Sequence, residues 1–365
     1  MKNILKALVL FTSIVAFSSA NAGVLEVTGT AKATYVIGGS DSTSAQNNEG
    51  KGIGITNELA FTGTGELDNG WTWKYQVELD DTAASTFTAT DDTRLELTTP
   101  FGTIAAYNTE GSLSTKYGYS AGAYGAGTDN GNSGNMQYGT AIDSYNNIQY
   151  HTPAGLLPFG VAAKVAYSPS SDSGKNSGNS AGAQNAEADG QDVTQYQISA
   201  APIDGLAVAA SYLHKSGESG VRGYETGGAY AKYKVGAFTV GYGEHYVQNN
   251  NAQDGTYTTA TALNTAALAN AVKSYENKAL SIGFMVNDSL SVSYENEKSD
   301  AQKRTVVNTN RAHTKANVEL DVTTLQAAYT MGGMTLSISQ KDIENADYVL
   351  NKDEKETIFA VAMAF

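Results

Sequence analysis

The sequence predicts an all-β chain, a closed antiparallel transmembrane barrel of sixteen strands. Three observations predict it: apolar and polar residues alternate with a period of two from residue 25 onward, connections alternate between short turns and long polar stretches, and the last strand ends on a phenylalanine. A strand sends successive side chains to opposite faces, so this period gives one apolar and one polar face.

The alternation is clearest from Trp71 to Asp80. Trp71, Trp73, Tyr75, Val77 and Leu79 share one face; Thr72, Lys74, Gln76, Glu78 and Asp80 share the other. Such a strand fits a soluble sandwich, with its apolar face on a second sheet, or a membrane barrel, with that face on lipid and the polar face lining water. Candidate strands fall at residues 25–37, 53–62, 71–80, 93–98, 103–107, 145–152, 160–167 and 193–200. The second half adds 206–213, 224–234, 238–247, 275–286, 290–297, 313–329, 334–344 and 357–365.

The connections separate the two architectures. Pro100-Phe101-Gly102, Pro202-Ile203-Asp204-Gly205, Val235-Gly236-Ala237, Asn287-Asp288-Ser289 and Met331-Gly332-Gly333 are short and carry turn chemistry. Between them lie long polar segments such as 108–144, 168–192 and 248–274. A barrel with short periplasmic turns and long extracellular loops has this rhythm, with an even strand number and both termini on the turn side. No repeat beyond the hairpin period stands out, which disfavours propellers and solenoids. Residues 259–273 are Ala-rich with Leu263, Ala266, Ala267 and Asn270 at helical spacing, compatible with a short helix or an irregular loop.

The N-terminus reads as a cleaved secretory signal. Lys2 and Lys6 precede a short apolar core, residues 7–17, and Ala20-Asn21-Ala22 is a small-x-small cleavage site. That core is too short for a membrane helix, and no later run approaches the required length. The domain organisation expected is a signal at 1–22 and one barrel at 23–365. The chain has no cysteine, and a closed sheet of this size is stabilised without disulfides. Lys and Arg number 23 against 37 Asp and Glu, a net −14; without Lys2 and Lys6 it is 21 against 37, or −16. An acidic balance disfavours nucleic acid as a partner. It fits either solvated loops or a negative pore mouth that favours cations.

The final strand narrows the class. Phe359, Val361, Met363 and Phe365 alternate with Ile358, Ala360, Ala362 and Ala364. This pattern resembles the C-terminal signal that the barrel-assembly machinery of Gram-negative cells recognises. Further motifs are Gly29-Thr30-Ala31-Lys32-Ala33-Thr34-Tyr35, Pro100-Phe101-Gly102-Thr103, Asp143-Ser144-Tyr145-Asn146-Asn147-Ile148-Gln149-Tyr150 before Thr152-Pro153, and Ile203-Asp204-Gly205-Leu206 before Ser211-Tyr212. With them the chain from 23 to 365 resembles the general trimeric porins of Gram-negative bacteria, nearest to the α-proteobacterial type.

The resemblance implies a 16-stranded barrel, a homotrimer set in outer-membrane lipid and lipopolysaccharide, and a third loop folded into the lumen as a constriction. That loop, 108–144, holds Glu110, Asp129 and Asp143, and the barrel wall opposite would present Lys32, Lys74 and Arg94 from the polar faces of strands one, three and four. Carboxylates facing cations across a pore would set up a transverse field that favours polar solutes; a merely solvated lumen would also be polar. The loop lacks the Pro-Glu-Phe-Gly-Gly segment of the enteric porins, which leaves open the eyelet carboxylate.

Tyr35, Tyr75, Tyr107, Tyr150, Tyr167, Tyr212, Tyr233, Tyr242, Tyr294 and Tyr329 sit near strand ends, where membrane-interface girdles would place them. Catalytic signals are weak. Gly178-Asn179-Ser180-Ala181-Gly182 matches a nucleophile elbow formally but lies within a polar loop. His151, His214, His245 and His313 lack metal-ligand spacing, and Asp80-Asp81 and Asp91-Asp92 flank a loop. Asp129-Asn130-Gly131-Asn132 could offer oxygens to calcium or be an ordinary Asn-Gly turn; no other cofactor is expected. The sequence thus points to a non-enzymatic channel for passive diffusion of small hydrophilic solutes, with a mild cation preference. Alternatives are a substrate-selective channel, with Tyr117, Tyr119 and Tyr124 as an aromatic track, or a non-conducting barrel acting as an adhesin.

Overall fold

Two-residue periodicity becomes a hydrogen-bonded wall in the computed structural model, which describes residues 23–40, 50–80, 92–169, 191–217, 223–248, 272–303, 307–308, 311–312 and 318–365. The expected secretory signal, the Gly178–Gly182 match and His313 lie outside the described residues. So does most of 259–273, whose last two residues, Val272 and Lys273, open a strand rather than close a helix.

In chain order the strands are β1 (Val24–Ser40), β2 (Gly50–Glu66), β3 (Thr72–Asp80), β4 (Thr93–Thr99), β5 (Gly102–Asn108) and β6 (Asn147–His151). Then come β7 (Ala162–Ser168), β8 (Val193–Ala200), β9 (Leu206–Lys215), β10 (Tyr224–Val235), β11 (Phe238–Gln248) and β12 (Val272–Met285). The rest are β13 (Leu290–Lys303), the short β14 (Val307–Asn308) and β15 (Arg311–Ala312), β16 (Val318–Met331), β17 (Met334–Glu344) and β18 (Glu354–Ala364). Among the described residues β14 and β15 pair only with each other; the other sixteen strands form one closed antiparallel barrel in which β13 neighbours β16 and β18 neighbours β1.

Closure depends on the C-terminal pattern. β18 runs against β1 from Thr30↔Ala364 to Ser40↔Glu354. Beyond it Gly29 and Phe365 exchange backbone hydrogen bonds of 2.8 and 3.0 Å. A Cβ on Gly29 would lie 2.7 Å from the Phe365 ring, so glycine lets that ring lie against the strand.

Outward positions are apolar in a band. Nine of the ten girdle tyrosines project outward and are exposed. Tyr107 is the exception: its parity on β5 turns it inward, where it is buried and donates to Glu96 at 2.8 Å. On the β13–β17 face the outward band ends early. Tyr294 gives way to Asn296 and Lys298, Leu325 to Thr323 and Asp321, and Ile338 to Gln340 and Asp342. Lys298 meets Glu319 at 2.7 Å and Asp321 at 2.8 Å there.

Wall height varies greatly. β1 and β2 run for 17 residues each, whereas β4, β5 and β7 have 7 and β6 only 5. The barrel is not hollow throughout. Met136, Tyr138, Leu320, Ile343, Tyr275 and Tyr348 belong to an apolar core inside it, against β11–β17, and Leu113, Ile142, Ala166, Val193 and Leu213 form a smaller one near β7–β9. Both cores contain residues of the segment between β5 and β6.

Candidate functional site

That segment, residues 109–146, is the third loop, and it lies inside the barrel. Its sequence suits close wall contact: small residues alternate with hydroxyl-bearing ones, and the wall supplies small residues in turn. Thr115 Oγ1 lies 2.9 Å from Ser211 Oγ and donates to the Gly228 carbonyl at 2.9 Å. Next, Gly241 and Gly243 receive Tyr119; a Cβ on Gly241 would lie 1.8 Å from the Tyr119 carbonyl oxygen. Ser281 and Ser293 then accept the backbone N–H groups of Ala121 and Ala123 at 2.8 and 2.9 Å, and Gln326 accepts that of Tyr124 at 2.8 Å. The loop therefore crosses the inner faces of β9 to β16 in order.

One buried carboxylate fastens its middle. Glu297 on β13 accepts hydrogen bonds from the Tyr119 hydroxyl, the Tyr138 hydroxyl at 3.0 Å, Thr128 Oγ1 at 2.6 Å and the Thr128 N–H at 2.9 Å. Burial, with Glu297 alongside, pushes the Tyr119 and Tyr138 phenols well above their ordinary range, so both remain donors. Glu295 accepts from Ser120 at 2.9 Å and from Ser281 at 3.2 Å.

The tip reaches β17 and β18. Lys341, wholly buried, donates to the carbonyls of Asn130 and Asn132 and lies 3.1 Å from Glu356. Glu356 accepts the Asn132 N–H at 2.8 Å. An ammonium thus occupies the oxygens of the turn that sequence reading offered to calcium. Asp129 stays exposed beside it. The return limb then packs on the apolar core, with Gln137 N–H donating to the Tyr348 hydroxyl at 3.1 Å and the Ile142 N–H to Gln195 at 2.8 Å.

The lumen left open is bounded by the loop on one side and by β1 through β7 on the other. Lys32, Lys74 and Arg94 occupy inward-facing positions of β1, β3 and β4. The Lys32 ammonium lies 5.6 Å from the Tyr124 ring centroid, and Lys74 stands across from Glu96.

The expected separation of charge is not what forms. Glu110 does not oppose Arg94 across the pore: it sits at the foot of the loop in direct contact with the Arg94 guanidinium, which also meets Glu78 at 3.3 Å. Loop residue 110 follows β5 by only two positions, too few to carry it across a barrel. Burial outweighs Arg94 and, with Glu78, Asp92 and Glu96 nearby, pushes the Glu110 carboxyl up to about 7. Asp143, in the 3-10 turn Ile142–Ser144, lines a cavity with Arg94, Lys164 and Glu110. The charges along this wall are therefore interleaved.

Nor do the three loop tyrosines make a track. Tyr119 is buried behind the loop and Tyr117 packs edge-on against Tyr138 at 5.1 Å, leaving Tyr124 toward the lumen. Sequence reading missed Glu295, Glu297 and Lys341, which read as ordinary polar positions of their strands. Among the described residues no cluster of three or more His, Asp or Glu is arranged to hold a metal.

Comparisons with known proteins agree with this architecture. No curated protein matches the chain. Among solved structures, a multiply substituted Rhodopseudomonas blastica porin is 16% identical, with a TM-score of 0.58. A loop-deletion variant of OmpT, an outer-membrane protein of Vibrio cholerae, is 12% identical with a TM-score of 0.61. Each similarity covers 94% of this chain and 100% of the other, and at such identity it shows the fold. The model of the Gram-negative porin family matches residues 10–364. With a closed sixteen-stranded barrel narrowed from within by its third loop, this chain belongs to the Gram-negative porin family and is a channel protein of the bacterial outer membrane.

Proposed function

We propose that the protein is a passive diffusion channel for small hydrophilic solutes and ions, with a mild preference for cations. The observation that carries this reading is the placement of the third loop. Polar bonds hold it against β9–β18, leaving the lumen beside β1–β7 lined by side chains such as Thr30, Thr34, Thr62 and Thr64. A polar, hydrated passage narrowed on one side admits solutes by size and polarity rather than by tight binding.

The cation preference rests on the wall more than on the loop. Glu58, Glu66, Glu78 and Glu96 occupy inward positions on β2–β4 against Lys32, Lys74 and Arg94 on β1, β3 and β4. Asp129 and Asp143 add to the negative side from the loop. A homotrimer is supported by the low wall: strands of 5 to 7 residues at β4–β7 fall short of the roughly 9–11 needed to cross hydrocarbon. A neighbouring copy would cover that face.

Planar-bilayer recording tests the reading. Reconstituted protein is expected to give large, weakly selective conductance steps in groups of three, with a reversal potential favouring the cation of a salt gradient. Folded protein without conductance would sink it, and anion selectivity would remove the charge argument.

A further inference from the structure

Two ions meet the same cavity without meeting each other. Lys164 projects inward from β7, and Asp143 comes from the Ile142–Ser144 turn. Both line a space of about 590 Å³ between the inner face of β4–β7 and the foot of the third loop. The other charged groups of this cavity are engaged: Arg94 with Glu78 and Glu110, Glu96 with the Tyr107 hydroxyl, and Asp92 with Thr109 Oγ1 at 3.1 Å. The His151 ring meets Gln149 at 2.8 Å. Among the described residues the side chains of Lys164 and Asp143 alone of these make neither an ion pair nor a hydrogen bond.

We propose that this cavity is a binding site for zwitterionic solutes, free α-amino acids and short peptides, whose carboxylate pairs with Lys164 and whose ammonium pairs with Asp143. The surrounding charges select this class. A simple anion would gain Lys164 but face the carboxylates of Asp143, Glu96 and Glu110. A simple cation would gain Asp143 but face Lys164 and Arg94. An uncharged solute would exchange the hydration of both ions for weaker contacts. A solute with both charges satisfies both residues, and the volume accommodates a dipeptide.

A second feature extends the site along the loop. Asp143 also lines an adjoining cavity of about 560 Å³ with Lys116 and Gln137. Lys116, Asp143 and Lys164 therefore alternate in sign from one chamber to the next. A zwitterion passing between them keeps its ammonium on Asp143 while its carboxylate leaves one lysine for the other. The inference deepens the diffusion-channel reading and relies on it for the solute's route.

The test is ligand-observed NMR on the folded, detergent-solubilised protein, with glycylglycine as probe. The comparators are N-acetylglycylglycine as anion, glycylglycinamide as cation and N-acetylglycinamide as neutral solute. Glycylglycine is expected to bind saturably at millimolar concentration and at least about fivefold more tightly than any comparator. Lys164→Ala and Asp143→Asn should each weaken it about tenfold, the scale of one lost charged contact. Lys355→Ala, on the outer face, should leave it unchanged. Lys164→Gln replaces the alanine variant if that does not fold. Equal binding of all four solutes, or binding indifferent to both cavity variants, overturns the proposal. The readout needs no conduction, so failure of the channel reading in bilayers and failure of this site are separate results.

Discussion

The Tyr119 phenol donates to the Glu297 carboxylate across 178 residues of sequence, joining the middle of the third loop to the inner face of β13. Tyr138 and Thr128 converge on the same carboxylate from the return limb and the tip. Three points of one loop therefore hang on a single side chain. Replacing Glu297 by alanine leaves three hydroxyls and an amide without that acceptor and should cost more than Tyr119→Phe, which removes one of these bonds and should cost about 1–3 kcal/mol. Thermal unfolding in detergent orders the two variants, and single-channel recordings of Glu297→Ala should show added current noise from the loosened loop. A quiet channel of wild-type stability would refute this role.

Close approach makes a second test. A side chain at Gly241 runs into the Tyr119 backbone, whereas a Cβ at Gly52 meets nothing within 4 Å. Gly241→Val should displace the loop, change unitary conductance and cost about 1–3 kcal/mol. Gly52→Ala should stay within about 0.5 kcal/mol of the parent and conduct normally.

Lys341 and Glu356 should behave as a unit. Lys341→Ala strips a buried carboxylate of its cation and is expected to cost about 3–5 kcal/mol. Lys341→Met combined with Glu356→Gln should cost clearly less than the sum of its single changes, as a double-mutant cycle in thermal unfolding would read. Additive costs would mean that the pair is not coupled.

Selectivity should titrate near neutrality through Glu110. Its folded value of about 7 lies above the ordinary 4.5, so the native state holds this proton more tightly than the unfolded chain. Its contribution to stability is present below pH 4.5 and is lost as pH rises toward 7. In the lumen, the carboxylate beside Arg94 is charged above pH 7 and neutral below it. Cation preference, measured as reversal potential, should therefore decline as pH falls through about 7. Glu110→Gln should remove that step and hold the channel at its low-pH selectivity.

The barrel was legible because every strand writes the same two-residue alternation. Positions 193–200 and 334–344 match β8 and β17 at both ends. At β13, sequence reading stops at Glu297 while the strand runs to Lys303, because the outward residues from Asn296 onward are no longer apolar and the contrast between faces disappears. Lys32, Lys74 and Arg94 could be assigned to the inward face for the same reason of parity. The loop could not be read this way. Its path is set by partners from 53 to 224 residues away, such as Gln195 for Ile142, Ser211 for Thr115 and Glu356 for Asn132, and no local periodicity records them. Tyr107 illustrates the opposite limit, since aromatic character suggested the interface while strand parity turned the ring toward Glu96.

The partners of the third loop also impose an order of events. Apart from contacts near its own foot and the approach of Lys32 to the Tyr124 ring, they lie on strands that follow it in the chain, from Gln195 on β8 to Glu356 on β18. A nascent chain that has delivered residues 109–146 has no surface on which to lay them, and the Lys341–Glu356 clamp arises only with the two strands that complete the ring. The constriction is therefore the last part to take shape. Until then the loop's many hydroxyls and amides have no wall partners and are satisfied by water.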